Sequence, residues 1–253
     1  MIADPFFYVA AVPAVILLGL SKGGFAGVGA LSLPLLMFVT DPVRAAAILL
    51  PLLIVQDAVG VWAFRRTVDR FVLAWTLPGA TLGIVGGYVF ASAVSPAAVM
   101  AAVGGISALF GAYRLWGERR IVTAPADLSR AARSGPIGLC AGVAAGFTSQ
   151  IAHAGGPPFQ LWVLPRRLSP PMLAGTTAVF FGIVNWMKVP AYWALGQFTQ
   201  TNLIAAASLM PVAIASTFAG VWLVRRIDAR RFYTIIYLLM IATGAKLMWD
   251  GLR

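Results

Sequence analysis

Two glycine-rich interruptions of apolar sequence hold the polar residues best placed to bind a ligand. The first reads Gly19-Leu20-Ser21-Lys22-Gly23-Gly24-Phe25-Ala26-Gly27-Val28-Gly29. The second reads Gly146-Phe147-Thr148-Ser149-Gln150-Ile151-Ala152-His153-Ala154-Gly155-Gly156-Pro157-Pro158. Each places small polar residues where one short helix ends and another begins. Glycine lets the backbone turn and bares its N–H groups. A helix starting after such a turn aims its free N–H groups and the positive end of its dipole at the turn. That arrangement binds an anion without a cationic side chain. The candidate substrate-binding residues are therefore Ser21, Lys22, Gly23 and Gly24 from the first break, and Ser149, Gln150, His153, Gly155 and Gly156 from the second. Close helix packing would use the same glycines, so no single one of them carries a function.

Lys22 follows a 15-residue apolar run. A charge deep in a membrane costs about 2.5–3.5 kcal/mol on insertion scales. Lys22 therefore either faces a wet cavity or an anion, or snorkels to an interface. His153, the only histidine, can hydrogen-bond a substrate, relay a proton or pack as a satisfied polar residue. Asp57 lies mid-segment beside Gln56. It is either a partner for Lys22 or the carrier of a coupling proton. Asn185 joins the candidate substrate-binding set as a hydrogen-bonding group. Lys188 follows one turn later, either lining a cavity or near the outer surface.

These residues sit in a chain of 253 residues that is 60% hydrophobic and only 11% charged, with a mean hydropathy of +0.87. Soluble domains carry about 25% charged residues. The composition excludes a soluble enzyme, a disordered chain and a secreted disulfide scaffold, and points to membrane-spanning helices. Transmembrane strands would show ~10-residue alternation, whereas the apolar runs are long and continuous. The net charge of +11 arises from basic doublets between apolar runs, the positive-inside pattern, and not from a nucleic-acid surface. The single cysteine, Cys140, and the single histidine exclude an internal disulfide and make a metal site unexpected. The first apolar run lacks the marks of a cleaved signal and reads as a retained membrane segment.

Apolar segments fall at about 6–20, 25–39, 43–63, 71–92 and 96–116, then at 135–150, 155–165, 171–193, 201–223 and 231–250. The last three of each group reach the ~20 residues that span the hydrocarbon core. The first two of each are shorter and are split by the glycine-rich breaks. Offset by 133 residues, Pro78 meets Pro211, Gly87 meets Gly220 and Trp116 meets Trp249; offset by 128, Ser21 meets Ser149, Gly27 meets Gly155 and Asp57 meets Asn185. The chain thus reads as a repeat: residues 1–117, a hydrophilic linker at 118–134, and residues 135–253.

Basic residues fall at Arg65, Arg66 and Arg70, between Arg114 and Arg133, at Arg166 and Arg167, and between Arg225 and Arg231; only Lys22, Arg44, Lys188, Lys246 and Arg253 lie elsewhere. Placing these connections and the linker in the cytoplasm makes the two halves inverted. The expected fold is an all-α integral membrane protein of two inverted repeats, each a short broken-helix hairpin plus three transmembrane helices. Trp62, Trp75, Trp116, Trp162, Trp193, Trp222 and Trp249 lie near segment ends and read as an interfacial belt.

Enzyme motifs are missing: GLSKGG lacks the P-loop spacing, and neither G-x-S-x-G nor H-E-x-x-H occurs. Ser149 with His153 is the one nucleophile–base pair that could be named, and it has no clear third member. The chain is expected to be no enzyme and to need no cofactor.

Across GLSKGGFAGVGALSLPLLMF (Gly19 to Phe38) and the second break at 146–158, the chain resembles the sulfite exporter TauE/SafE (TSUP) family. The resemblance covers nearly the whole length. It implies a secondary transporter of sulfite, sulfoacetate or related sulfonates in the bacterial inner membrane, coupled to protons, with a substrate region at Gly23-Gly24 and Gly155-Gly156. The halves differ chemically: Lys22 directly precedes Gly23, whereas Gln150 to Ala154 intervene before Gly155. The expected partners are a small anion, protons and the lipid bilayer, with Asp57 carrying the proton; the oligomeric state is open. An anion channel and a non-transporting assembly subunit are the alternatives.

Overall fold

The computed structural model describes all but residues 1–4, 23–27, 92, 94, 119–133, 167 and 224–228. Gly23, Gly24 and most of the 118–134 linker therefore lie outside the described residues. The described residues are helical throughout their ordered elements, with no strand. α1 (Pro5–Lys22) is followed by a 3-10 turn (Val28–Leu31) and the short α2 (Ser32–Leu36). Then come α3 (Pro42–Phe64), α4 (Arg70–Ala91) and α5 (Pro96–Glu118). The second half has α6 (Gly135–Ala152), α7 (Gly156–Val163) with a 3-10 turn (Leu164–Arg166), α8 (Pro170–Ala194), α9 (Gln200–Leu223) and α10 (Ala229–Leu252).

Local chemistry sets these bounds. Asp41 caps α3 by accepting from the Arg44 N–H at 2.9 Å, and Pro42 takes the first-turn position where a missing N–H is harmless. α6 ends at His153, whose backbone is left-handed at φ 49°. The Ala154 N–H bonds back to the Thr148 carbonyl, closing the helix as such a cap does. Pro51, Pro78, Pro190 and Pro211 lie inside helices, which membrane helices tolerate when neighbours satisfy the freed backbone groups.

Among the described residues six helices are long and apolar enough to cross a membrane: Pro5–Lys22, Pro42–Phe64, Arg70–Phe90, Ala97–Gly117, Pro171–Ala194 and Gln200–Trp222. The chain is a multi-pass membrane protein. α1 is longer than expected. Its 18 residues, like those of α6, rise about 27 Å, close to the ~30 Å core. Each break thus joins a long arm to a short one, and the second short arm, α7, has 8 residues, about 12 Å.

Helix partners cross between the halves: α1 packs on α9, α6 on α4, α3 on α8, and α5 on α10. Glycines permit the closest contacts. A Cβ at Gly79 or Gly83 of α4 would strike the backbone of α6, and one at Gly142 or Gly146 of α6 would strike the backbone of α4. Gly146, at the start of the second break, is thus a packing residue. One apolar core gathers α1, α2, α3 and α9, and another gathers α4, α6, α7 and α8. The tryptophans are mostly exposed, as a lipid-facing belt requires. Trp162 departs from the expectation. It is buried, lies against Gly138 and stacks on Phe71, because α7 turns inward under α6 instead of ending at the interface.

The connections that precede α4 and α8 meet on one face. Asp69 caps α4 through the Val72 N–H and lies 3.5 Å from the Arg166 guanidinium. The Asp69 N–H donates to Thr176, and Thr67 donates to the Pro171 carbonyl. Residues 65–70 and 164–166, both basic in sequence, therefore share a side.

Candidate functional site

The ends of α1 and α6 converge on the middles of α3 and α8 around a cavity of about 170 Å³. By the same measure one water needs only ~10–15 Å³, so a small polyatomic ion fits together with water. Ser21, Lys22, Ser149, His153, Gly156 and Asn185 all line it. Six of the sequence-derived candidates, drawn from both breaks and from α8, therefore line one cavity.

Lys22 is the last residue of α1 and does not snorkel to the surface. Its Nζ lies 2.5 Å from Asp57 Oδ1, with the lysine side chain 12% exposed and the carboxylate 2%. The ammonium also sits 5.0 Å above the Phe181 ring, a cation–π contact. Asn185 Nδ2 donates to the other carboxylate oxygen, Asp57 Oδ2, at 2.5 Å. Asp57 thus stands behind the cavity wall, held by two residues that line it. Neighbouring Gln56 faces the other way, donating to the carbonyls of Val15 and Ala213 and joining α3 to α1 and α9.

On the α6 side, Lys188 is fully buried. Its Nζ donates to the Ser149 carbonyl at 3.2 Å, to Ser149 Oγ at 3.1 Å, and to His153 Nδ1 at 2.7 Å. His153 Nε2 lies 2.8 Å from the Ala46 carbonyl. A carbonyl only accepts, so Nε2 carries the hydrogen and Nδ1 accepts from the lysine. The imidazole is neutral in this arrangement and both its nitrogens are bound to protein. His153 lines the cavity without a free hydrogen bond to offer.

The remaining candidates divide by packing. Gln150 is buried but is absent from the lining, and its carbonyl accepts from Tyr192. A Cβ at Gly155 would meet the Ala145 carbonyl and the Ser149 Cβ, whereas one at Gly156 would meet nothing within 4 Å. Gly155 is therefore a packing glycine, and Gly156 opens onto the cavity. The start of α7 is a weaker anion cradle than its glycines suggest. Pro157 and Pro158 have no N–H, so within α7's first turn only Gly156 can present an amide before Phe159, whose N–H bonds to the Gly155 carbonyl.

Sequence reasoning missed Gln160, Thr177 and Phe181, which also line the cavity. Gln160 is buried with its Oε1 unpartnered. A glutamine inside the short apolar run 155–165 was its available signal. For Lys188 the signal was its spacing of three from Asn185, which puts both on one helix face. Among the described residues no group of three metal-ligating side chains occurs.

A family model described as Sulfite exporter TauE/SafE matches residues 11–247, and the chain belongs to that family. No curated protein and no solved structure matches it.

Proposed function

We propose that this member of a membrane transporter family is a secondary carrier for a small sulfur-containing anion, sulfite or an organosulfonate such as sulfoacetate, in a bacterial inner membrane. The observation that carries this reading is the Lys22 ammonium bordering a cavity between the two halves, beside donors from α6 and α8. Ser21, Lys22, Ser149, Asn185 and the Gly156 N–H would hold the anion. Charge-assisted hydrogen bonds of this kind are the stronger ones.

Asp57 supplies the coupling. Its carboxylate occupies Lys22 and Asn185 while ionised. A proton on Asp57 would cancel that charge and release both residues toward the anion. Proton and anion would then enter together, and loss of the proton would expel the anion. The crossed helix partners support two inverted repeats, residues 1–117 and 135–253, related by exchange of α1 with α6 and of α4 with α9. Rocking of such repeats about a central site gives alternating access.

Purified protein in proteoliposomes tests this. Carrier activity predicts saturable sulfoacetate or sulfite flux driven by an imposed proton gradient, and counterflow between internal and external substrate. Ohmic current without counterflow would favour an anion channel instead.

A further inference from the structure

We propose that Lys188 is a specificity-determining residue that gives the cavity a second positive pole and makes it prefer a divalent to a monovalent anion. This rests on the reading of the cavity as an anion site. The Lys22 and Asp57 charges oppose each other at 2.5 Å, so that pair contributes little net field. Lys188 has no carboxylate partner among the described residues, and is solvated only by Ser149 and His153. While Asp57 is ionised the net positive charge beside the cavity is therefore that of Lys188, and when a proton on Asp57 frees Lys22 the two ammonium groups form two poles, in surroundings where charge is weakly screened.

Lys188 does not line the cavity; it acts through Ser149, which does. The Ser149 hydroxyl accepts from the ammonium at 3.1 Å. Its own hydrogen is then left to point at a bound anion, and an ammonium behind the hydroxyl strengthens that donor. His153 fixes the lysine from the other side by accepting at Nδ1 while anchored to the Ala46 carbonyl. A cation at the C-terminal end of a helix also stabilises its last carbonyls, and the Ser149 carbonyl lies there. That capping role predicts a loss of stability, but no change in which anion is preferred.

The test is equilibrium binding to the purified full chain at neutral and mildly acidic pH, where sulfoacetate and disulfonates are still dianions. Sulfoacetate is compared with isethionate, and methanedisulfonate with methanesulfonate. Each pair sets a dianion against a monoanion of similar build. In the unaltered protein the dianion should bind more tightly in at least one pair. Lys188→Met should weaken the dianion by about tenfold or more and the monoanion much less, the scale of losing one charge-assisted interaction. Lys188→Arg should restore much of the preference. Ser149→Ala, which leaves the lysine in place, should reduce the preference in the same direction and provides the reading if Lys188→Met does not fold. Equal weakening of both anions in Lys188→Met and in Ser149→Ala would overturn the proposal while leaving the anion site intact. If the unaltered protein binds neither member of either pair, the anion site and this inference fall together. If it binds them without preferring the dianion, only this inference falls.

Discussion

Asn185 donates to Asp57 across an interval of 128 residues, the same interval that aligns Ser21 with Ser149 in sequence. Two residues that the proposed repeat places in correspondence thus touch each other. Ser107 and Met240, 133 residues apart, also touch, through a hydrogen bond from the serine hydroxyl to the Met240 carbonyl. Contacts between corresponding residues are what a pseudo-two-fold axis produces along its length. The proposed repeat therefore has one axial contact beside the cavity and another between α5 and α10. Asymmetry at the first is chemical: one half contributes a carboxylate and the other its amide.

Replacing Asp57 by Asn should uncouple transport from protons. The groups facing Asp57 are Lys22 from α1 and Asn185 from α8, with Lys188 and His153 beyond them. In the unaltered protein, anion affinity should rise as pH falls, because protonated Asp57 releases Lys22. In Asp57→Asn that dependence should flatten, gradient-driven flux should vanish and counterflow should persist. Removing one partner of a buried pair costs about 3–5 kcal/mol. Water in the cavity around Lys22 should hold the loss to the lower end, and added anion should recover part of it in a thermal melt.

Neighbouring glycines should behave oppositely. Gly155→Ala forces a Cβ onto the Ala145 carbonyl and Ser149, and overpacking of that kind costs about 1–3 kcal/mol. Gly156→Ala meets open space in a helical position where alanine gains up to ~1 kcal/mol over glycine. Its melting temperature should hold or rise, while anion affinity drops as the new methyl group enters the cavity. Thermal melts with and without sulfoacetate separate the two effects.

At position 153 the backbone matters as well as the ring. His153 holds a left-handed conformation that asparagine accepts more readily than alanine. His153→Ala and His153→Asn both remove the imidazole between Lys188 and the Ala46 carbonyl. His153→Asn should nonetheless be the more stable, by about 1 kcal/mol. Equal stability would mean that the ring contacts alone, and not the helix end, set the cost.

Close packing of α4 on α6 supplies a control. Gly83→Ala drives a Cβ into the backbone at Val143 and Phe147. It should lower the melting temperature, yet leave the relative affinities for different anions unchanged, since neither partner lines the cavity.

Much of this was legible in the chain because membranes make polar residues expensive. Lys22, Asp57 and Asn185 stood out against apolar sequence, and the structure brings all three together. Helix positions followed from apolar runs and proline and glycine breaks, although α1 and α6 each extend past their apolar runs into the polar break. Lys188 could not be placed, because depth depends on how α8 is seated and not on its sequence. Trp162 was misread for a related reason: segment ends look interfacial whether or not the helix beyond them turns inward. The helix-end anion cradle at Gly155-Gly156 is weaker than its glycines suggest, since the two prolines that follow carry no N–H.

The most direct test of the anion site is ligand-dependent thermal stabilisation of the purified protein and of Lys22→Gln. The panel is sulfite, thiosulfate, sulfoacetate, taurine, isethionate and sulfate. A ligand that binds only the native state stabilises by RT ln(1 + [L]/Kd), about 2.7 kcal/mol at a hundredfold excess over Kd. A clear upward shift is expected with sulfite or sulfoacetate, abolished in Lys22→Gln while its unliganded melt stays cooperative. The same shift in both proteins, or no shift with any sulfur-containing anion, would rule out an anion site at Lys22.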